Sequence, residues 1–220
     1  MRGEYNQLLT KPEWVVQLCN ELEQVGAWET GIVSTSNRSR TRYNGTAVNV
    51  DAYGYDERQK LAVFQVRETV FSSKRFNRTH KNYFLCGYNE NGNAFAHAID
   101  SVARYDGTPE ATVAKALCKV WQCTEKQLAS IVRNGDVAFI PQPNTWFKEH
   151  VPVASKVLLA ESHLVEGNIF ESGDKLYVRG HASIAHTKGQ HPSVAVEKGV
   201  YRLQVGYRAE TWSFSLETHD

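Results

Sequence analysis

Apolar residues first recur with a helical period. Trp14, Val15, Leu18, Cys19, Leu22 and Val25 fall on one face of a 3.6-residue repeat. Thr10 and Glu13 have the spacing of a capping box, Pro12 suits a first turn, and Gly26 supplies the stop. The spacing therefore predicts a helix packed on a sheet. From Gly31 to Ile99 the period changes to short β-prone runs. Thr46–Tyr55, Leu61–Val70 and Asn82–Tyr88 read as strands, with Asn44-Gly45 as a turn. Asn89–Asn93 is short enough to join Tyr83–Tyr88 to Ala94–Ile99 as a hairpin. Two more helical patterns follow. One opens at Thr108-Pro109 with Val113, Ala114, Leu117, Val120 and Trp121 inward. The other opens at the capping box Thr124–Gln127, with Leu128, Ile131 and Val132 inward and Asn134-Gly135 as its end.

Val137–Ile140 reads as a short buried strand closed by Pro141. Pro143 and Pro152 then bracket the best linker, Gln142–Pro152. Beyond it, Val153–Val165, Lys175–Ala185, Ser193–Val205 and Thr211–Leu216 read as strands. The expected class is α+β. An antiparallel sheet with three helices fills residues 1–141, and a C-terminal antiparallel β-barrel or sandwich-like unit fills residues 153–220.

At 220 residues, 41% of them hydrophobic and 22% charged, the chain can bury a sizeable core. No apolar run is long enough to cross a bilayer, and residues 1–6 carry no signal-peptide core. Cys19, Cys86, Cys118 and Cys123 form no C-x-x-C pair. We expect a reducing, cytoplasmic setting without disulfides or a membrane partner.

The net charge is only +1, but cations cluster. Arg38, Arg40 and Arg42 alternate with polar residues, and Lys74, Arg75, Phe76, Arg78 and Lys81 interleave cations with an aromatic. Cations neutralise phosphates and aromatics stack on exposed bases, so both blocks point to nucleic acid. No helix has a basic face, which favours RNA or single strands over duplex DNA.

Three of the eight histidines, His181, His186 and His191, lie within eleven residues. On an unbroken strand Leu176, Val178, Ala182, Ile184 and His186 share one face, and Tyr177, Arg179, His181 and Ser183 the other. His186 and His191 flank a tight loop, and His163, at the end of an earlier strand, is the natural third partner. Three readings compete. His163, His186 and His191, with Lys188 and Arg179 as cations, suit acid–base cleavage of a phosphodiester without a cofactor, as in a ribonuclease. The same three histidines, with Glu161 or Glu166, suit a zinc-dependent hydrolase. Histidines that pin loops in a non-catalytic component of a larger assembly are the third.

The blocks Arg133–Pro141, Glu161–His163, Tyr177–Gly180, His186–Pro192 and Gly199–Arg202 carry a resemblance. They resemble a family of uncharacterised bacterial and phage-associated proteins. The resemblance implies that these blocks belong together and implies no activity.

Overall fold

The structure, a computed structural model, describes residues 11–28, 31–35, 44–71, 78–89, 92–100, 108–143, 151–189 and 192–206. Among these residues the protein is α+β, with two antiparallel sheets and three helices. It divides into two compact units, with the boundary between Ala116 and Leu117. The boundary expected from the prolines fell later, at residues 142–152. It differs because the strand ending at Gln142 pairs with the strand Val200–Val205, which ties it to the second unit.

In the first unit helix α1 (Glu13–Gln24) presents Val15, Leu18, Cys19 and Leu22, all buried. Pro12 occupies the cap position and makes no side-chain cap bond, and Glu13 is the first helical residue. Thr10, the other half of the expected capping box, lies outside the described residues. Val25, expected inward, is exposed because the helix has already ended at the preceding residue. Strands β1 (Gly31–Thr35), β2 (Asn44–Asp56), β3 (Leu61–Phe71), β4 (Arg78–Tyr88) and β5 (Ala94–Ile99) form an antiparallel meander in chain order. Asn44 and Gly45 lie inside β2, paired to β1, and do not form the expected turn.

The two faces of this sheet have different covers. Ala52, Ala62, Phe64, Val66, Phe84 and Cys86 meet α1 and Trp28, whose ring centroid is 5.7 Å from those of both Phe64 and Phe84. Fully burying one such side chain contributes about 1.5–3 kcal/mol. Gly54 pairs with Val63, on the face opposite Phe64. There it touches the start of helix α2 (Pro109–Val120): a Cβ at Gly54 would lie 2.5 Å from Pro109 O and 2.5 Å from Thr112 Cβ. Helix α2 therefore covers one end of the second face.

The second unit begins with the last turn of α2 and the one-turn helix α3 (Glu125–Leu128). The capping box expected at Thr124 and Gln127 is present. The helix ends at once, however, and Val132–Asn134 is strand β6, paired with β7 (Val137–Gln142). Gly135 and Asp136 thus turn a hairpin after Asn134, in place of the expected helix stop. Strands β8 (Ala154–Leu159), β9 (His163–Ser172), β10 (Lys175–His186), β11 (Val194–Val196) and β12 (Val200–Val205) complete an antiparallel sheet. Its order is β6-β7-β12-β10-β9-β8, with β11 beside β10. The expected strand Val153–Val165 is broken by a turn in which Ala160 and Glu161 have positive φ. Thr211–Leu216 lies outside the described residues.

Val137, Phe139, Val165, Ile169, Val178, Ala182, Ile184 and Leu203 form the core of this sheet. On its other face Phe170, Tyr177 and Val200 cluster. Arg202 lies on that face opposite Tyr177, is buried, and donates from Nη2 to Trp121 O (3.2 Å) and Gln122 O (2.6 Å). A guanidinium on the carbonyls just past a helix C-terminus lies at the negative end of the helix dipole.

Candidate functional site

His163 opens β9 and His186 closes β10, and the register sets them directly opposite each other. Val165 pairs with Ile184 one step inward on the same face, so both imidazoles extend the apolar face of the sheet. A bulge between Arg179 and Ala182 puts two extra residues into β10. Two residues preserve alternation, so Val178, Ala182, Ile184 and His186 still share a face. The rings meet edge to face, 5.0 Å between centroids, at 4% and 7% relative exposure.

Both rings hold the loops at this end of the sheet. The Lys188 backbone N–H donates to His186 Nδ1 (3.2 Å), and Gly189 N–H to His186 O (2.9 Å). His186 thus accepts at Nδ1 and fixes the backbone of the loop that follows it. His163 Nδ1 is 3.1 Å from Ser162 Oγ, and Thr187 N–H donates to Ser162 O (2.7 Å). The turn before β9 and the loop after β10 are thereby joined.

The other expected members of the site are placed differently. The Lys188 side chain is exposed at the loop. Arg179 is also exposed, but on the opposite face and five rungs of the sheet back from His186, roughly 17 Å away at strand rise. It is not part of the histidine pair. His181 faces outward and meets Glu197 Oε2 at 3.3 Å. His191 lies outside the described residues. Among the described residues no three His, Cys, Asp or Glu side chains converge as a metal set.

The basic blocks map onto the first unit. Arg38, Arg40, Arg42, Lys74, Arg75 and Phe76 lie outside the described residues. Arg78 and Lys81 precede the expected strand Asn82–Tyr88 but belong to β4, because β3 continues to Phe71 and pairs with it from Val70–Arg78 inward. This pairing sets Lys81 directly opposite Arg67, and Arg67 opposite Asn49 of β2. The next row on the same face is Asp51, Gln65 and Tyr83.

In that row a buried amide holds two aromatic rings. Gln65, 1% exposed, donates from Nε2 to Tyr53 OH (2.8 Å) and to Tyr83 OH (2.7 Å). The two rings stand edge to face with centroids 5.6 Å apart, and both tyrosines are half-buried. Burial pushes the Tyr53 phenol above its ordinary value, with Tyr83 and then Asp51 adding to the shift against the Gln65 hydrogen bond. The ring stays neutral at physiological pH. Sequence reasoning missed this cluster. Its signal was one amide inside the apolar run Leu61–Val66.

No protein-family model matches the chain, and no curated protein or solved structure matches it.

Proposed function

We propose that this protein binds unpaired RNA or single-stranded DNA through the sheet of its first unit. The observation that carries the reading is the cross-strand pairing of Arg67 with Lys81. Two cations in one cross-strand row make a positive strip, and a polyanion laid across it gains from counterion release. The sequence extends the same basic character through Lys74, Arg75 and Arg78 toward Lys81.

In this reading the second unit supports binding and is not a catalyst, and its histidine pair latches two loops. Asn134 Nδ2 donates to Pro192 O (2.8 Å), which ties β6 to the approach of β11 and supports a barrel-like curl. One observation favours cleavage as a second reading: two imidazoles in contact, one of them accepting a backbone N–H at Nδ1. Their burial argues against it, since a scissile phosphate must reach both rings.

The test is filter binding of a labelled 20-nucleotide RNA at several salt concentrations, for wild type, Arg67→Gln and Lys81→Gln. Wild-type affinity should fall steeply with salt, and each substitution should reduce the logarithmic slope by about 0.7. Equal, salt-independent binding by all three removes the reading.

A further inference from the structure

We infer that Tyr53 and Tyr83 form a stacking platform for an unpaired base, with Arg67 and Lys81 holding the phosphates of the same strand. The inference rests on the nucleic-acid reading above and assigns the part of the surface that meets the bases.

Four features support it. Gln65 spends both amide hydrogens on the two phenol oxygens, so the rings are fixed before any ligand arrives. Both tyrosines remain partly exposed although Gln65 beneath them is buried. Helix α2 reaches the face at Gly54, next to Tyr53, and covers that end while Lys81, in the row beyond Tyr83, is exposed. The cationic row lies one step along the strands from the aromatic row, since Arg67 and Lys81 are two residues from Gln65 and Tyr83. Same-face neighbours on a strand are about 6.6 Å apart, within the span of one nucleotide between base and phosphate. Asp51 ends the aromatic row and disfavours a phosphate there, so the backbone runs along the Arg67–Lys81 side. Every base has a stackable face, so the platform is sequence-tolerant. A duplex hides those faces, so the platform selects single strands.

The experiment pairs fluorescence anisotropy with photocrosslinking on the full chain. A labelled 12-nucleotide oligothymidine and a duplex of equal length are titrated against wild type, Tyr53→Leu, Tyr83→Leu and Tyr83→Phe. Each leucine variant should lose about 5- to 100-fold in single-strand affinity without changing the salt slope. Tyr83→Phe, which keeps the ring, should lose less than Tyr83→Leu. An oligonucleotide carrying 5-iodouracil should crosslink wild type at Tyr53 or Tyr83, read by peptide mass spectrometry, which needs no variant to fold. Salt-sensitive binding with undiminished affinity in both leucine variants, or crosslinks confined to other peptides, would overturn the platform and leave the nucleic-acid reading intact. Equal affinity for duplex and single strand would also overturn it. No binding by wild type would end both.

Discussion

Gly54→Ala tests the packing of helix α2 on the face that carries Tyr53 and Tyr83. The new Cβ would lie 2.5 Å from Pro109 O and 2.5 Å from Thr112 Cβ, where carbon contacts normally sit near 3.5–4 Å. A shift of about 1 Å is required, and one obstacle is helix backbone, which cannot rotate away as a side chain does. Overpacking of this kind costs about 1–3 kcal/mol, and the rigid obstacle puts it at the upper end. Gly54 is not in the left-handed region, so alanine also gains about 0.4–1 kcal/mol by restricting the unfolded chain. The net loss is about 2 kcal/mol, which lowers the melting temperature by roughly 4–8 °C for a chain of this size. Circular dichroism melts measure it. Gly87→Ala is the comparison: its closest obstacle is Leu61 Cδ2 at 2.7 Å, a side-chain tip that can swing aside, so its loss should be smaller. A Gly54→Ala melting temperature at or above wild type would refute the packing of α2 on this face.

Other consequences follow from the same physics. His186→Ala removes the acceptor of the Lys188 N–H and opens a void beside His163, so it should cost about 2–3 kcal/mol in urea denaturation. Unchanged stability would contradict the latch. Burial pushes the Cys19 and Cys118 thiols up to about 12 and raises Cys86 well above its ordinary value, with Glu23 adding at Cys19 and Cys123 at Cys118. Above about pH 9 the unfolded chain then loses thiol protons that the folded chain keeps. Stability should therefore fall as pH rises from about 9 toward 12, by at most about 1.4 kcal/mol per pH unit for each thiol. Urea midpoints at pH 8, 9 and 10 measure this, and Cys19→Ala should flatten the fall. At pH 8 the native thiols should react slowly with an aromatic disulfide reagent and fully after denaturation, because the thiolate is the nucleophile. RNA incubated with the protein and a chelator should stay intact, and chelator-resistant cleavage lost in His186→Ala would move the account to the catalytic reading.

The sequence shows those parts of the fold where one physical signal acts alone. The stripe from Val15 to Leu22 has no competing period, and α1 follows it. The alternation through β10 separates His186 from His181 and Arg179 even across the bulge, because the bulge adds an even number of residues. Other signals were ambiguous. Asn134-Gly135 ends a helix or turns a hairpin equally well, and the pairing of Val132 with Phe139 chose the hairpin. Thr79, His80 and Asn82 have no apolar alternation, so the strand through the basic block was set by its partner β3. The opposition of His163 and His186, and of Arg67 and Lys81, depends on register. Register is fixed by pairing between segments and has no local mark in either one.

The central claim is that single-stranded nucleic acid lies on the β2–β3–β4 surface. Backbone amide NMR of the full chain, titrated with an unlabelled 12-nucleotide single strand, tests it most directly. The account predicts that the largest shifts cluster at Asn49–Tyr53, Gln65–Arg67 and Lys81–Tyr83. Shifts confined to the loops around His163 and His186, or no shifts at all, would contradict it.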